Sequence, residues 1–500
     1  MSYETLTKTF YRLAQLEHAG SMLGWDQQVM MPPKSNEARG RAMAELQVLA
    51  TEIIQQPAMA DAFDAAEQNQ DALEPWQQAN LRQMREAWKK ANVVPKELVE
   101  AKAMITNECE HAWRSLRAEN NWKDFEPTLQ KVFDLAREEA QALDNALRAE
   151  KGYVNAYEAL LDIYDPGTRL ARVDSVFSEL KAELPTLLQQ VLAKQQASGA
   201  PMQQQAPVDK SKQIALANEL MAVLGFDFDA GRLDEAAHPF SGGVPDDSRI
   251  TTRYVADNVV EGLMGIIHET GHSRYETGLR KDWRYMPVGQ SMGMGVHESQ
   301  SLFFEMQMGR SAPFINAIAP IVQKHLGSDP AFEAGNLRKL YTEVKPGLIR
   351  VNADEVTYPL HVILRYELER DIILGKADVK DIPDRWNAAM QHYLGLNTEG
   401  DFKNGPMQDV HWPSGAIGYF PSYTLGAMTA AQLHAALVQA VPNAAELIGR
   451  LELQPIFDWL SANIWEKGCL LSYDDLMVEA TGETLNSRYF LEHIKGRYLS

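Results

Sequence analysis

Apolar residues recur at spacings of three and four through most of the chain, and strictly alternating runs are few. That period puts them on one face of a helix, so the pattern predicts a mainly α fold. The clearest stretches are Glu4–Leu23, Trp76–Lys90, Phe125–Glu150, Arg172–Lys194, Glu355–Leu374 and Ala430–Ala440. Proline and glycine interrupt them at Met31-Pro32-Pro33, Asp165-Pro166-Gly167 and Pro245. Between His238 and Tyr254 the pattern changes: Pro239-Phe240-Ser241-Gly242-Gly243-Val244-Pro245 leads into the β-branched, alternating Arg249-Ile250-Thr251-Thr252-Arg253-Tyr254. A short strand or hairpin is expected there. Gln195–Pro207 is rich in Gln, Ala and Pro without periodicity and reads as an exposed connector. We therefore expect one domain over residues 1–500, with a candidate subdomain boundary near 195–207.

Composition narrows the class. A chain of 500 residues can bury a large core and form a deep cleft. Its formal net charge of −20 gives an acidic surface, which argues against nucleic acid and anionic membrane as partners. Cys109 and Cys469 are the only cysteines, too few for a disulfide framework or a thiolate metal site, and a cytoplasmic, reducing compartment is expected. Met1–Gly20 mixes charged and apolar residues, unlike a signal peptide, and no run of about 18 apolar residues suggests a membrane span.

The chemistry concentrates in Val259–Tyr275, a helical stretch carrying H-E-x-x-H at His268, Glu269 and His272. Spacing of four puts both imidazoles on one helix face, where they can chelate a single cation. Glu269 lies about 100° around the helix, off the ligand positions but near enough to act as general base toward a metal-activated water. By chance the motif would occur in roughly 2% of chains of this composition. Its setting is more informative, because Leu263-Met264 and Ile266-Ile267 flank it and two histidines on a buried face need a partner such as a metal. A catalytic zinc takes three protein ligands. The third is expected from the helix beginning Val296-His297-Glu298-Ser299-Gln300, with Glu298 on the face of Leu302 and Met306, and His297 as the competing choice. Gly271 either is tolerated within the motif helix or lets a neighbouring helix or the substrate come close. Gly289, Gly293 and Gly295 mark a tight turn between the two ligand helices.

Together with these motifs, the chain resembles the carboxypeptidase Taq family of metallocarboxypeptidases. The likeness runs in order through Trp25-Asp26-Gln27, His238-Pro239-Phe240, Asp247-Ser248-Arg249-Ile250-Thr251, the His268–His272 motif and His297-Glu298-Ser299-Gln300. It continues through Ile349-Arg350-Val351-Asn352-Ala353-Asp354 and Gly405-Pro406-Met407-Gln408-Asp409-Val410-His411-Trp412. The resemblance implies a helical, cleft-containing fold with a small β-sheet beside the site, and removal of C-terminal residues from peptides. It also implies a homodimer and one Zn2+ per chain, with Co2+ as a substitute, on residues matching His268, His272 and Glu298.

Recognition of a C-terminal carboxylate suits arginine, whose planar fork binds it bidentately. Arg350 is the first candidate and Arg249 the second; the alternative for each is a structural ion pair, with Asp354 or Asp247. His411 and Tyr423 are expected to donate to the developing oxyanion, and Tyr419 to help hold the substrate carboxylate. His238 is placed near the cleft by the resemblance alone, and His361 reads equally as a core histidine. Leu302 stands where a related pattern has Asp, so the acceptor behind the ligands must come from elsewhere. An endo-acting oligopeptidase with the same zinc chemistry and a non-catalytic peptide-binding scaffold are the competing functions; the intact Glu269 argues against the second.

Overall fold

A computed structural model describes residues 2–236 and 239–500. Helix dominates, as the period of three and four predicts. The expected stretches become helices Ser2–Val29, Pro75–Val93, Trp122–Lys151, Leu170–Ser198, Tyr358–Ile373 and Pro421–Ala440. The helix Trp122–Lys151 shows the local logic. Asn121 accepts a hydrogen bond from the Asp124 backbone at its start, Gly152 in the left-handed region (φ 71°) ends it, and the apolar face between them is buried. The helix Pro421–Ala440 starts well before the segment the pattern singled out. Its first turns are buried on nearly every side and built from Gly426, Ala427, Thr429 and Ala430, so they carry no amphipathic period.

The change of pattern after Pro239 corresponds to a three-stranded sheet with strands β1 (Gly231–Glu235), β2 (Ser241–Val244) and β3 (Asp247–Thr252) in the order β1-β3-β2. β2 and β3 form the expected hairpin, with Ser241 opposite Ile250, whereas β1 runs parallel to β3 with Gly231 opposite Ser248. β1 left no sequence signal because Gly-Arg-Leu-Asp-Glu lacks β-branched residues. Side chains alternate across a strand, so Ser248 and Ile250 of β3 face the helix Val259–Gly278. Ser248 bonds Ser273 (2.7 Å), and Ile250 packs with Ile266. The sheet thus forms a wall beside the H-E-x-x-H helix.

One hydrophobic cluster extends from Ile105 to Tyr498 and includes residues on both sides of 195–207. That stretch is fastened to the body: the Gln195 side chain pairs with the Val344 backbone (2.9 and 2.7 Å), and the Met202 backbone with Asn336 (2.7 and 2.8 Å). A smaller cluster of Leu6, Phe10, Met59, Phe63, Leu81 and Met84 packs the N-terminal helices together. Beside the large core runs a chain of charges, of which Glu355 is buried and the others are partly buried. Arg310 bonds Glu305 (2.6 Å) and lies 3.6 Å from Glu355, which also accepts from Arg497 (2.6 Å) and pairs with His493 (2.9 Å) on the last helix, Ser487–Tyr498.

Burial raises the Glu355 carboxyl, but Arg497, His493 and Arg310 outweigh it and hold it at about 2, below its ordinary 4.5. A folded-state value below the unfolded one adds stability above pH 4.5 that is lost as pH falls toward 2. Arg497→Met should therefore cost about 3 kcal/mol in urea unfolding at pH 7, because it takes the nearest guanidinium from a buried carboxylate and leaves it only His493 and the more distant Arg310. It should also flatten the loss of stability on acidification. A loss under about 1 kcal/mol with an unchanged acid profile would contradict this account.

Candidate metal centre

His268 and His272 stand one turn apart on the helix Val259–Gly278, with ring centroids 5.0 Å apart. Their side chains keep 21% and 13% of their exposure, as on the floor of a cleft. Glu298 comes from the next α-helix, Met294–Leu302, which crosses the first at Gly271. A Cβ at 271 would lie 2.7 Å from both the Gln300 carbonyl and the Ser301 Cα, so the missing side chain is what lets the neighbouring helix approach. A third helix, Pro421–Ala440, closes on the opposite side. A Cβ at Gly426 would come within 2.9 Å of the Glu298 Cβ and Cγ.

This packing brings the Glu298 Oε2 to 3.5 Å from His272 Nε2 and 4.0 Å from His268 Nε2. One ligand atom from each residue lies within 4.8 Å of the others, a grouping able to hold a metal ion. The donor set, two imidazoles and a carboxylate, suits a divalent transition-metal ion. The other ring nitrogens are turned away and held. His268 Nδ1 bonds Glu305 (2.9 Å), which Arg310 anchors in turn. His272 Nδ1 meets His297 Nδ1 (2.6 Å), and His297 Nε2 meets Glu276 (2.8 Å). The network assigns the protons: with His272 Nε2 facing the metal position, its Nδ1–H donates to His297, whose Nε2–H donates to Glu276.

His297, the competing ligand, therefore lies behind His272 and outside the three-residue group. Glu305 supplies the acceptor that Leu302 lacks. It is two turns beyond Glu298 on the same face, in a segment that widens into π-helix over Phe303–Gly309. The sequence signal was a lone carboxylate in the apolar run Leu302-Phe303-Phe304-Glu305-Met306. Burial pulls His268 down, but the Glu305 hydrogen bond and the charges of Glu298 and Glu269 push it up to about 10. Burial dominates at His272 and lowers it. The field set by these carboxylates favours a cation at this point.

Glu269 is buried beside the group, and its carboxylate accepts a hydrogen bond from Ser241 Oγ of the edge strand β2. Next to His272, a cavity of ≈ 280 Å³ opens between β2, Glu276, His297 and His18 of the first helix. Trp25 of that helix roofs β2, with its ring 5.0 Å from Phe240 and against Gly242.

A second group of side chains gathers around the start of the helix Pro421–Ala440. His411 Nε2 pairs with the Tyr423 hydroxyl (2.9 Å), and the Tyr419 ring lies 5.2 Å from that of Tyr423. Tyr423 and Gly426 share a helix face, so Tyr423 sits one turn from the contact with Glu298. Arg350 is 4% exposed. Its Nε and Nη2 donate to Asp409 (3.0 and 2.9 Å), its Nη1 to the Tyr358 hydroxyl (2.7 Å), and its guanidinium lies 4.8 Å from the Tyr423 ring. Its ion-pair partner is thus Asp409, not Asp354, whose carboxylate instead caps the Val356 and Thr357 amides. Arg365 donates to the same Asp409 (2.6 Å), leaving two guanidiniums on one carboxylate. Burial together with Arg350 lowers His411 to about 3, so its ring is neutral.

One predicted residue stays apart from these groups. Arg249 donates to Asp247 (2.8 and 2.5 Å) on the face of β3 turned away from the histidine helix, which is the structural ion pair held open for it. His238 lies outside the described residues. His361 is fully buried on the helix Tyr358–Ile373, and burial with Arg365 and Arg350 lowers it to about 3, so its ring is neutral.

Helical fold, edge-strand wall and a His-His-Glu group beside a buried Glu define a metallopeptidase. The family model described as carboxypeptidase Taq (M32) metallopeptidase matches residues 5–498, and the chain belongs to that family of metallocarboxypeptidases. It is 36% identical to thermostable carboxypeptidase 1 of Thermus thermophilus, over 99% of this chain and 98% of the relative. To carboxypeptidase 1 of Bacillus subtilis it is 32% identical, over 100% and 99%. Its structure superimposes on Trypanosoma cruzi metallocarboxypeptidase 1 with a TM-score of 0.97 at 42% identity, covering 100% and 99% of the two chains. For the M32 carboxypeptidase of Deinococcus radiodurans the TM-score is 0.92 at 31% identity, covering 99% and 98%.

The bonds behind the ligands carry a testable consequence. His297→Ala removes the acceptor that fixes the His272 ring and should weaken metal binding about 10–100-fold, measured on metal-stripped protein by competition with a chelating dye. Unchanged affinity would show that the His272 ring needs no support from His297.

Proposed function

We propose that this metallocarboxypeptidase releases residues one at a time from the free C-terminus of peptides, using one zinc ion per chain held by His268, His272 and Glu298. The observation that carries the reading is the convergence of those three side chains beside the buried Glu269. The metal, when bound, polarises the scissile carbonyl and makes water nucleophilic near neutral pH. Glu269, oriented by Ser241, removes a proton from the attacking water and delivers it to the leaving amine. His411 and Tyr423 donate to the oxygen that gains charge in the transition state. Tyr419 and the excess positive charge of Arg350 and Arg365 over Asp409 attract the substrate carboxylate, with Arg350 also orienting the hydroxyl of Tyr358. The pairing of Arg249 with Asp247 supports a role in shaping the β2–β3 hairpin, and His238 is assigned to the substrate side by the family resemblance.

The donor set supports zinc, with cobalt as a substitute. Two unpaired cysteines support a cytoplasmic location, and among the described residues no helix is long and apolar enough to cross a membrane. Broad tolerance of side chains and a homodimeric state are supported by the family resemblance.

Mass spectrometry of one peptide with a free and with an amidated C-terminus tests the proposal. Stepwise loss from the free form alone is expected, with Glu269→Gln slower by a factor of about 10² or more. Internal cleavage of the amidated peptide would instead assign an endopeptidase, and an undiminished rate in Glu269→Gln would remove Glu269 from the mechanism.

A further inference from the structure

Two of the three helices around the metal group begin at the same point. The helix bearing Glu298 starts at Met294, and the helix bearing Tyr423 starts at Pro421. Between their first turns lies Asp165, from the Asp165-Pro166-Gly167 turn that follows the helix Ala156–Tyr164. Its Oδ1 accepts from the Gly295 backbone (2.6 Å), and its Oδ2 accepts from Ser422 Oγ (2.5 Å). Glu298 is one turn beyond Gly295, and Tyr423 follows Ser422 directly. The site is shaped for this carboxylate. A Cβ at Gly293 would come to 2.8 Å from Oδ1 and one at Gly295 to 3.0 Å, so both glycines are needed for it to reach the backbone.

Among the described residues only the Gly295 amide and the Ser422 hydroxyl are bound to the Asp165 carboxyl, and no cationic side chain pairs with it. Burial raises its carboxyl above the ordinary range, against the hydrogen bonds from Ser422 and Gly295. The amino-terminal ends of two helices, and no cationic side chain, face it. A carboxylate kept in such surroundings without a cation calls for a role, and its two oxygens are bound separately to the elements that carry the two halves of the site.

We propose that Asp165 is a positioning residue that locks the Glu298 helix to the Tyr423 helix, so that the metal ligand and the oxyanion donor are held in register. This rests on the assignment of Glu298 and Tyr423 above. Each oxygen serves one arm, and the arms separate experimentally. Ser422→Ala severs only the Tyr423 arm, whereas Asp165→Ala severs both.

The experiment compares zinc affinity of the metal-stripped protein, kcat on a short free-acid peptide at saturating zinc, and Tm. Wild type, Asp165→Ala, Asp165→Asn, Ser422→Ala and Glu298→Ala are measured together. Asp165→Ala should lose about tenfold or more in zinc affinity and also lose kcat. Ser422→Ala should lose about tenfold or more in kcat with zinc affinity unchanged. Asp165→Asn, which keeps the volume and one acceptor oxygen, should recover much of the zinc affinity. Lower Tm with unchanged zinc affinity in Asp165→Ala, or unchanged kcat in Ser422→Ala, would overturn the inference while leaving the ligand assignment intact. Should Asp165→Ala not fold, the split in Ser422→Ala and the zinc affinity of Asp165→Asn decide. If Glu298→Ala binds zinc as tightly as wild type, the ligand assignment fails and the inference falls with it.

Discussion

Ionisable groups withdrawn from bulk water must each be held by a partner, and this constraint shapes the molecule around its metal group. His268, His272, Glu298 and Glu269 stand close together at the floor of a cleft. Leaving their remaining polar atoms free would be costly and would let the rings rotate. The fold answers with two different supports. Behind His268 the Glu305, Arg310, Glu355 and Arg497 chain alternates in sign and ends on the last helix. Behind His272 the support is a second histidine backed by Glu276.

The same economy appears in the backbone. Glu298 can approach the histidines because the helices cross where side chains are missing, at Gly271 on one side and Gly426 on the other. Close helix packing restricts where the Glu298 side chain can go, and a restricted side chain has less freedom to lose on binding. Tyr423 and Glu269 come from different helices, so the proton transfer and the oxyanion donation proposed for them fall to separate elements of the fold. Two arginines, Arg350 and Arg365, share the single Asp409 carboxylate, which leaves a net positive charge there.

Much of this was legible in the sequence, for identifiable reasons. Long amphipathic helices announce themselves by period, and H-E-x-x-H is local, so its geometry follows from helical spacing. The helix Pro421–Ala440 was half hidden because a segment buried on all sides has no polar face to mark its period. The strand β1 was invisible because its composition is polar and its partner β3 comes later in the chain. The supports behind the ligands depend on tertiary contacts. Glu305 could have been found as a charge in an apolar run, whereas the joining of Arg350 to Asp409 spans a separation that no local pattern reports. Asp165 read only as part of a turn, because its two partners lie far along the chain.

The account rests on one centre, and anomalous scattering at the zinc edge from crystals grown with zinc tests it most directly. It predicts a single peak per chain, about 2.0–2.2 Å from the Nε2 atoms of His268 and His272 and from a carboxylate oxygen of Glu298. A peak bound by His297 in place of Glu298, or none at this position, would contradict it.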